Sequence, residues 1–248
     1  MCRIKMFYPG NINHEDVKIS AKVVAKSCNM KCIAEICKMQ NLIIAATEAE
    51  IAPFTNRHAD ADILITGVGV PSTIYHLLKR THQINYDCII QAGIAGSFNP
   101  IIQPGETVLV KQDCFADIGM EENGNYIPVF KTIWADENEP PFTMGWLTNS
   151  NGYLKEIALP FVKSITINKV SDNKLQIQQF TKQFNADIET MEGAALHYVC
   201  LQEDIPFIQI RTISNFVGER DKTKWKLKDA IENLNIELDK LYNKITDK

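Results

Sequence analysis

From residue 41 onward, short apolar runs alternate with amphipathic segments. The pattern predicts strands over 41–46, 61–69, 87–96, 106–111, 164–170 and 205–214. It predicts helices over 71–82, where Pro71 and Ser72 make a favourable start, and over 191–200. Continuous apolar strands that alternate with helices are typical of a sheet covered on both faces. We therefore predict a three-layer α/β/α domain with a central mixed, twisted sheet.

The last segment of the chain has apolar residues at helical spacing. This pattern predicts an amphipathic C-terminal helix that covers the sheet. Its apolar positions are Leu227, Ala230, Ile231, Leu234, Leu238 and Leu241. The long segment 113–163 lacks regular periodicity and is interpreted as an excursion from the sheet. Residues 1–38 precede the first core strand and are interpreted as an N-terminal extension of unknown role, so residues 39–248 form the predicted functional domain.

Composition narrows the class of protein. The 248 residues suffice for one sizeable domain, and the net charge of -4 argues against broad neutralisation of nucleic-acid phosphates. No apolar run approaches the roughly 20 residues that cross a bilayer, and the first residues lack the apolar core of a secretory signal. Seven scattered cysteines suit a reducing compartment. We therefore expect a cytoplasmic protein without membrane or nucleic-acid partners.

Metal binding is not indicated by the spacing of cysteines or histidines. Cys28, Cys32 and Cys37 are spaced C-x3-C-x4-C, which differs from paired C-x2-C zinc patterns. Buried or incidental cysteines are favoured there over a metal or cluster site. His197 lies in an apolar predicted helix, where a hydrogen-bonded core histidine is the more common role. We expect no metal and no cofactor.

Polar and small residues follow each predicted strand, where ligands gather in α/β folds. They are Glu48 and Glu50 after the first strand, Gly67 to Gly69 after the second, Gly93 to Gly96 after the third, Glu189 and Glu192 before a helix, and Arg211, Ser214 and Asn215 in the last strand.

Each feature alone has a plain structural interpretation. Gly67-Val68-Gly69 reads as a tight turn, because Ser72 replaces the third glycine of a dinucleotide fingerprint. Glu192 would stabilise a helix N-terminus, and the acids after the first strand would be solvated loop residues. Arg211 is more informative, since a buried guanidinium is expected to need a carboxylate partner.

Together, "TEAE", "GIAG", "ETMEGAA" and "RTISN" resemble, in order and spacing, the purine nucleoside phosphorylase/nucleosidase superfamily. The resemblance runs from about Met39 to the C-terminus and implies a nucleoside phosphorylase-like fold. It implies that Glu50, or alternatively Glu48, activates a water molecule. It further implies that Glu192 binds the ribose hydroxyls and that Arg211 supports the catalytic glutamate.

The remaining positions of these motifs carry substrate-binding roles by the same resemblance. Asn215 would engage the purine during catalysis. The implied substrate-binding positions are Met191, Gly69, Gly93, Ala95 and Ser214, together with Glu192. The resemblance also implies a homo-oligomer in which a neighbouring subunit could close the pocket.

The chemistry of these residue types suits cleavage of an N-glycosidic bond. One carboxylate favours the cation-like sugar, while another removes a proton from water. A 6-oxopurine protonated at N7 offers one donor and one acceptor, which the Asn215 amide complements. An amide also pairs with ground-state adenine. Asn215 therefore discriminates between the two N7-protonated leaving bases better than between the two unreacted nucleosides.

Gln91 bears on the choice between water and phosphate as nucleophile. Phosphorylases of the superfamily commonly carry an arginine at this position, just ahead of the "GIAG" motif. A neutral amide cannot replace that charged fork, although other arginines could bind phosphate. The sequence therefore predicts a purine nucleosidase acting on a small-molecule nucleoside. The alternatives are a nucleosidase for adenine nucleosides, a nucleoside phosphorylase and a nucleoside-binding module without turnover.

Overall fold

The computed structural model describes residues 39–246. The proposed N-terminal extension and its cysteines therefore lie outside the described residues. The strands are β1 (Asn41–Ala45), β2 (Asp62–Ile65), β3 (Cys88–Ser97), β4 (Thr107–Asp113), β5 (Gly119–Glu122), β6 (Asn125–Pro128), β7 (Leu147–Thr148), β8 (Phe161–Thr166), β9 (Ile188–Thr190) and β10 (Phe207–Phe216). The helices are α1 (Glu48–Arg57), α2 (Val70–Thr81), α3 (Lys174–Phe184), α4 (Gly193–Gln202) and α5 (Leu227–Thr246).

The main sheet is mixed, as predicted. Its strand order is β10-β4-β8-β9-β3-β1-β2, with β7 paired to β4. The long strand β3 runs parallel to both β1 and β10, and its end pairs antiparallel with β9. Because β10 also pairs with both β3 and β4, the strands β3, β10, β4, β8 and β9 close into a ring.

Helices cover both faces of the sheet, which confirms the three-layer prediction. On one face, α2 and α4 pack over an apolar cluster made of Leu42, Ile44, Leu77, Tyr86, Ile89, Leu196, Val199, Cys200 and Phe207. On the other face, α5 packs against β10, β3 and α1. The side chain of Asn235 joins α5 to α1, because it accepts from the Phe54 N–H at 2.8 Å and donates to the Glu50 carbonyl at 2.8 Å.

Several elements were not predicted from the sequence. Glu48 and Glu50 were expected in a loop, but they form the first turn of α1. Pro53 lies inside this helix and masks its pattern, since proline usually breaks a helix interior. The helix α3, the short strand β9 and the hairpin β5–β6 were also missed. The C-terminal helix is confirmed, with Ala230, Leu234, Leu238 and Leu241 buried.

Candidate active site

A cavity of about 390 Å³ opens at the carboxyl ends of β1, β3 and β10. Small-molecule sites typically have volumes of roughly 300–1,000 Å³, so a nucleoside-sized ligand fits this range. Its walls are mostly apolar and include Ala46, Val68, Ile94, Ile167, Val170, Trp225, Leu227 and Ile231. Its polar lining includes Thr47, Glu50, Glu189, Thr190, Glu192, Ser214, Asn215, Glu219 and Arg220.

Glu50 enters the cavity from the first turn of α1. Its Oε2 accepts hydrogen bonds from the backbone N–H and the hydroxyl of Thr47, both at 3.0 Å. Its Oε1 accepts from the backbone N–H of Ile94 at 3.2 Å. Glu48 is exposed and does not line the cavity. The geometry therefore favours Glu50 over Glu48 as the carboxylate that meets a ligand.

Glu192 is a second carboxylate in the cavity wall, and it is 6% exposed. Burial raises its pKa, against the opposing effects of the Arg211 charge and the Gly69 N–H. Its Oε1 accepts from that N–H at 2.9 Å. Glu192 occupies the N-cap position of α4, yet its side chain makes no capping hydrogen bond. Its carboxylate is therefore held by the loop after β2 rather than by the helix that it precedes.

Gly69 and Gly93 do not line the cavity, although both were predicted to bind substrate. Gly69 has a φ of +89°, which favours glycine, and it positions Glu192. A Cβ at Gly93 would lie 2.1 Å from Arg211 Nη1 and 3.1 Å from Glu50 Oε1. The bare backbone of Gly93 thus leaves the space that the guanidinium of Arg211 occupies.

Arg211 is 1% exposed and lies behind the cavity lining. The expectation of a carboxylate partner is wrong, because within residues 39–246 no carboxylate forms an ion pair with it at 4.0 Å or less. Its Nη2 instead donates to Gln91 Oε1 at 2.6 Å. A neutral amide thus fixes the guanidinium without neutralising it, so its charge still acts on nearby acids, including Glu192 and Asp113.

Asn215 lines the cavity together with Ala95 and Ser214. Its Oδ1 accepts from the Ser214 hydroxyl at 2.7 Å, and its Nδ2 donates to the Phe216 carbonyl at 2.9 Å. The Ser214 hydroxyl also lies 3.2 Å from the Ala95 carbonyl, but its single proton favours the shorter contact. These contacts fix the amide orientation. One acceptor lone pair and one N–H of Asn215 stay available to a ligand.

The structure thus brings six of the nine predicted site residues to one cavity: Glu50, Asn215, Glu192, Met191, Ala95 and Ser214. Gly69, Gly93 and Arg211 support them from behind. The apolar walls after β8 and at the start of α5 were missed, since isolated apolar residues carry no signal of a ligand site. Trp225, in the loop before α5, is a further lining residue that the sequence analysis does not single out.

Glu189 stands three positions before Glu192 in the sequence, and the family resemblance implies no role for it. It is 8% exposed and lines the cavity. Burial raises its pKa to about 7, against the opposing charge of Arg220. Among residues 39–246, the structure shows no hydrogen-bond partner for its carboxylate.

Within residues 39–246, no group of three His, Cys, Asp or Glu side chains is arranged to hold a metal ion. Cys88, Cys114 and Cys200 are buried free thiols, and burial raises the pKa of Cys88 to about 12. His197 is fully buried against the Leu147 carbonyl, and burial lowers its pKa to about 4. No helix in the described part of the chain is long and apolar enough to span a membrane.

The fold and the cavity define a member of a known family. A family model described as the phosphorylase superfamily matches residues 59–246, and the chain belongs to that superfamily. A futalosine hydrolase of Thermus thermophilus is 28% identical over 176 residues, covering 69% of this chain and 76% of the relative. A 5′-methylthioadenosine/S-adenosylhomocysteine nucleosidase of Buchnera aphidicola is 28% identical over 162 residues, covering 62% of this chain and 65% of the relative.

Solved structures agree on the fold. The 5′-methylthioadenosine/S-adenosylhomocysteine nucleosidase of Neisseria meningitidis, in complex with methylthio-immucillin-A, superposes with a TM-score of 0.69 at 15% identity, covering 83% of this chain and 100% of that one. A futalosine hydrolase of Helicobacter pylori gives 0.68 at 14% identity, covering 83% of this chain and 98% of that one. The family and its nucleosidase relatives support cleavage of a nucleoside by this chain.

Proposed function

We propose that this chain is a purine nucleosidase that hydrolyses futalosine to hypoxanthine and dehypoxanthine futalosine, a step of the futalosine route of menaquinone biosynthesis. The observation that carries the proposal is one cavity lined by Glu50, Glu192 and the Asn215 amide. The "ETMEGAA" and "ISNFVGERD" segments resemble futalosine hydrolases, and two relatives with that name match most of the chain.

The two carboxylates divide the work at the sugar. Glu192 binds the ribose hydroxyls, where its negative charge favours the cation-like sugar that forms as the bond to the base breaks. Glu50 accepts a proton from the attacking water, whose oxygen forms the new bond to the sugar carbon. The donors from Thr47 and Ile94 hold the Glu50 carboxylate in place for this proton transfer.

The base leaves with a proton from solvent at N7. Asn215 Oδ1 accepts a hydrogen bond from N7–H, and Nδ2 donates to O6. The contacts with Ser214 and Phe216 orient the amide for this pairing before the substrate binds. Such preorganised partners stabilise charge that develops on the leaving base.

Gln91 supports water as the nucleophile. Its Oε1 is committed to Arg211, and Gln91 is 1% exposed, so this position supplies no charged donor to a phosphate. The Glu50 carboxylate would also repel a phosphate dianion. The test is release of hypoxanthine from futalosine in phosphate-free buffer, with identification of the sugar product. A rate that depends on phosphate, or a sugar 1-phosphate product, would contradict hydrolysis.

The second candidate is a 5′-methylthioadenosine/S-adenosylhomocysteine-type nucleosidase, favoured by the relatives with that name. Asn215→Asp separates the two. An ionised Asp would place an acceptor opposite O6, at a cost of about 1–3 kcal/mol, or roughly one to two decades in kcat/KM. The same Asp would also place an acceptor opposite the Phe216 carbonyl, which now accepts from Asn215 Nδ2. This unfavourable contact would lower kcat/KM for both substrates alike.

The ratio of kcat/KM for futalosine to that for its 6-amino counterpart is therefore the informative quantity. We expect Asn215→Asp to lower this ratio by tenfold or more. An unchanged ratio would remove the chemical support for a 6-oxopurine substrate. The homo-oligomeric state and the cytoplasmic location remain predictions from the sequence.

A further inference from the structure

Glu189 lies on the opposite side of Gly96 from Asn215. In the sheet, Gly96 pairs with Asn215 of β10 on one side and with Glu189 of β9 on the other. Neighbouring strands are about 4.8 Å apart, so the two backbones stand roughly 10 Å apart across this glycine. Both side chains line the same cavity. A planar base that contacts Asn215 and lies over Gly96 would reach towards Glu189.

Gly96 provides the floor between these two side chains. A Cβ there would lie 3.0 Å from Val217 Cγ2 and 3.6 Å from Glu189 Oε1. The backbone of Gly96 has no positive φ that would require glycine. Its lack of a side chain instead leaves flat space between the amide and the carboxylate, which suits a heterocyclic ring.

We infer that Glu189 is a specificity-determining residue that accepts a hydrogen bond from N1–H of a 6-oxopurine, while Asn215 contacts the N7/O6 edge. The inference rests on the proposed purine nucleosidase function. An ionised carboxylate only accepts hydrogen bonds. Hypoxanthine carries a donor at N1, whereas adenine carries an acceptor there. Glu189 therefore favours the 6-oxopurine and disfavours the 6-aminopurine at a second edge of the base.

The charge state of Glu189 makes this selectivity depend on pH. Its raised pKa of about 7 means that it ionises within the neutral range. The other titratable groups that line the cavity are Glu50, Glu192, Glu219 and Arg220. The residues paired with Glu189 in the sheet are Gly96 and Ile165, which do not titrate. The positive charge of Arg220 lowers the pKa of Glu189 and so opposes the effect of burial.

The experiment measures binding of the free bases hypoxanthine and adenine by calorimetry from pH 5.5 to 8. Free bases lack ribose, so the contacts of Glu192 with the sugar do not enter. We expect wild-type affinity for hypoxanthine to rise about tenfold as Glu189 ionises, and affinity for adenine to stay level or fall. In Glu189→Gln, the rise for hypoxanthine should disappear. Glu219→Gln removes another cavity carboxylate and should retain the rise.

Two results would overturn the inference. One is a pH dependence for hypoxanthine in Glu189→Gln that equals that of wild type. The other is an equal loss of affinity for hypoxanthine and adenine in Glu189→Gln, which would mean that Glu189 only shapes the cavity. Turnover of futalosine without phosphate, measured on the same preparation, tests the proposed function separately. If wild type turns over futalosine but the expected pattern of base affinities is not seen, this inference alone falls. If wild type does not turn over futalosine, the proposed function falls and the inference with it.

Discussion

Gly93→Ala tests whether the buried guanidinium must occupy its observed place. The new Cβ would lie 2.1 Å from Arg211 Nη1, so one of the two must move by 1 Å or more, given that nonbonded carbon contacts prefer roughly 3.5 Å. Arginine tips usually move easily. Arg211, however, is 1% exposed and bonded to Gln91 at 2.6 Å, so it has little free space. The same Cβ would lie 3.1 Å from Glu50 Oε1.

Overpacking of a buried site typically costs about 1–3 kcal/mol of unfolding free energy. A displacement of about 1 Å near reacting groups can cost roughly 100-fold in rate. We therefore expect Gly93→Ala to lower kcat/KM for futalosine about 100-fold and to lower the midpoint of thermal unfolding.

The matched control is Gly152→Ala, where an added Cβ meets no atom within 4 Å. It should leave both kcat/KM and the unfolding midpoint unchanged. Wild-type kcat/KM in Gly93→Ala would refute the reasoning that the position of Arg211 matters for turnover. A loss of stability without a loss of activity would assign Arg211 to folding alone.

Three further predictions use other parts of the structure. Glu50→Gln should lower kcat about 100- to 10,000-fold, while Glu48→Gln, on an exposed side chain, should keep near-wild-type kcat. A large loss in Glu48→Gln with near-wild-type kcat in Glu50→Gln would assign the general base to Glu48. Asp113 is fully buried, and burial raises its pKa to about 6, so stability present below about pH 4 is lost as the pH rises through 6. Asp113→Asn should flatten this pH dependence in thermal unfolding scans and raise the free energy of unfolding at pH 8 by up to about 3 kcal/mol. The new amide can be accommodated because Gln209 can turn its unpaired Oε1 towards it. An unchanged pH profile in Asp113→Asn would show that Asp113 does not cause the pH dependence. A chain that begins at Met39 should stay soluble and retain kcat/KM, and insoluble or inactive protein would show that residues 1–38 are required.

Local pattern was sufficient for much of the fold. The apolar runs of β1, β3 and β10 and the helical spacing in α5 follow from which residues must leave water, so they can be read along the chain. The family motifs likewise stand at strand ends, where α/β folds place ligands. The helix α1 escaped this logic because Pro53 interrupts its pattern.

The choice between neighbouring acids depended on tertiary structure. Glu48 and Glu50 are two positions apart, and their sequence contexts are alike. The helical turn of α1 exposes Glu48 and directs Glu50 to the Thr47 and Ile94 amides. A helix rotates successive side chains by about 100°, so the onset of α1 decides which acid faces the cavity.

Long-range contacts decided the remaining features of the site. Arg211 meets Gln91 across 120 positions of sequence, and Gly69 meets Glu192 across 123. The sequence predicts a carboxylate partner for the buried guanidinium, whereas the structure gives it the neutral amide of Gln91. Strand register places Glu189 and Asn215 on either side of Gly96. Register is set by the packing of the whole sheet, so this pairing cannot be read from local pattern.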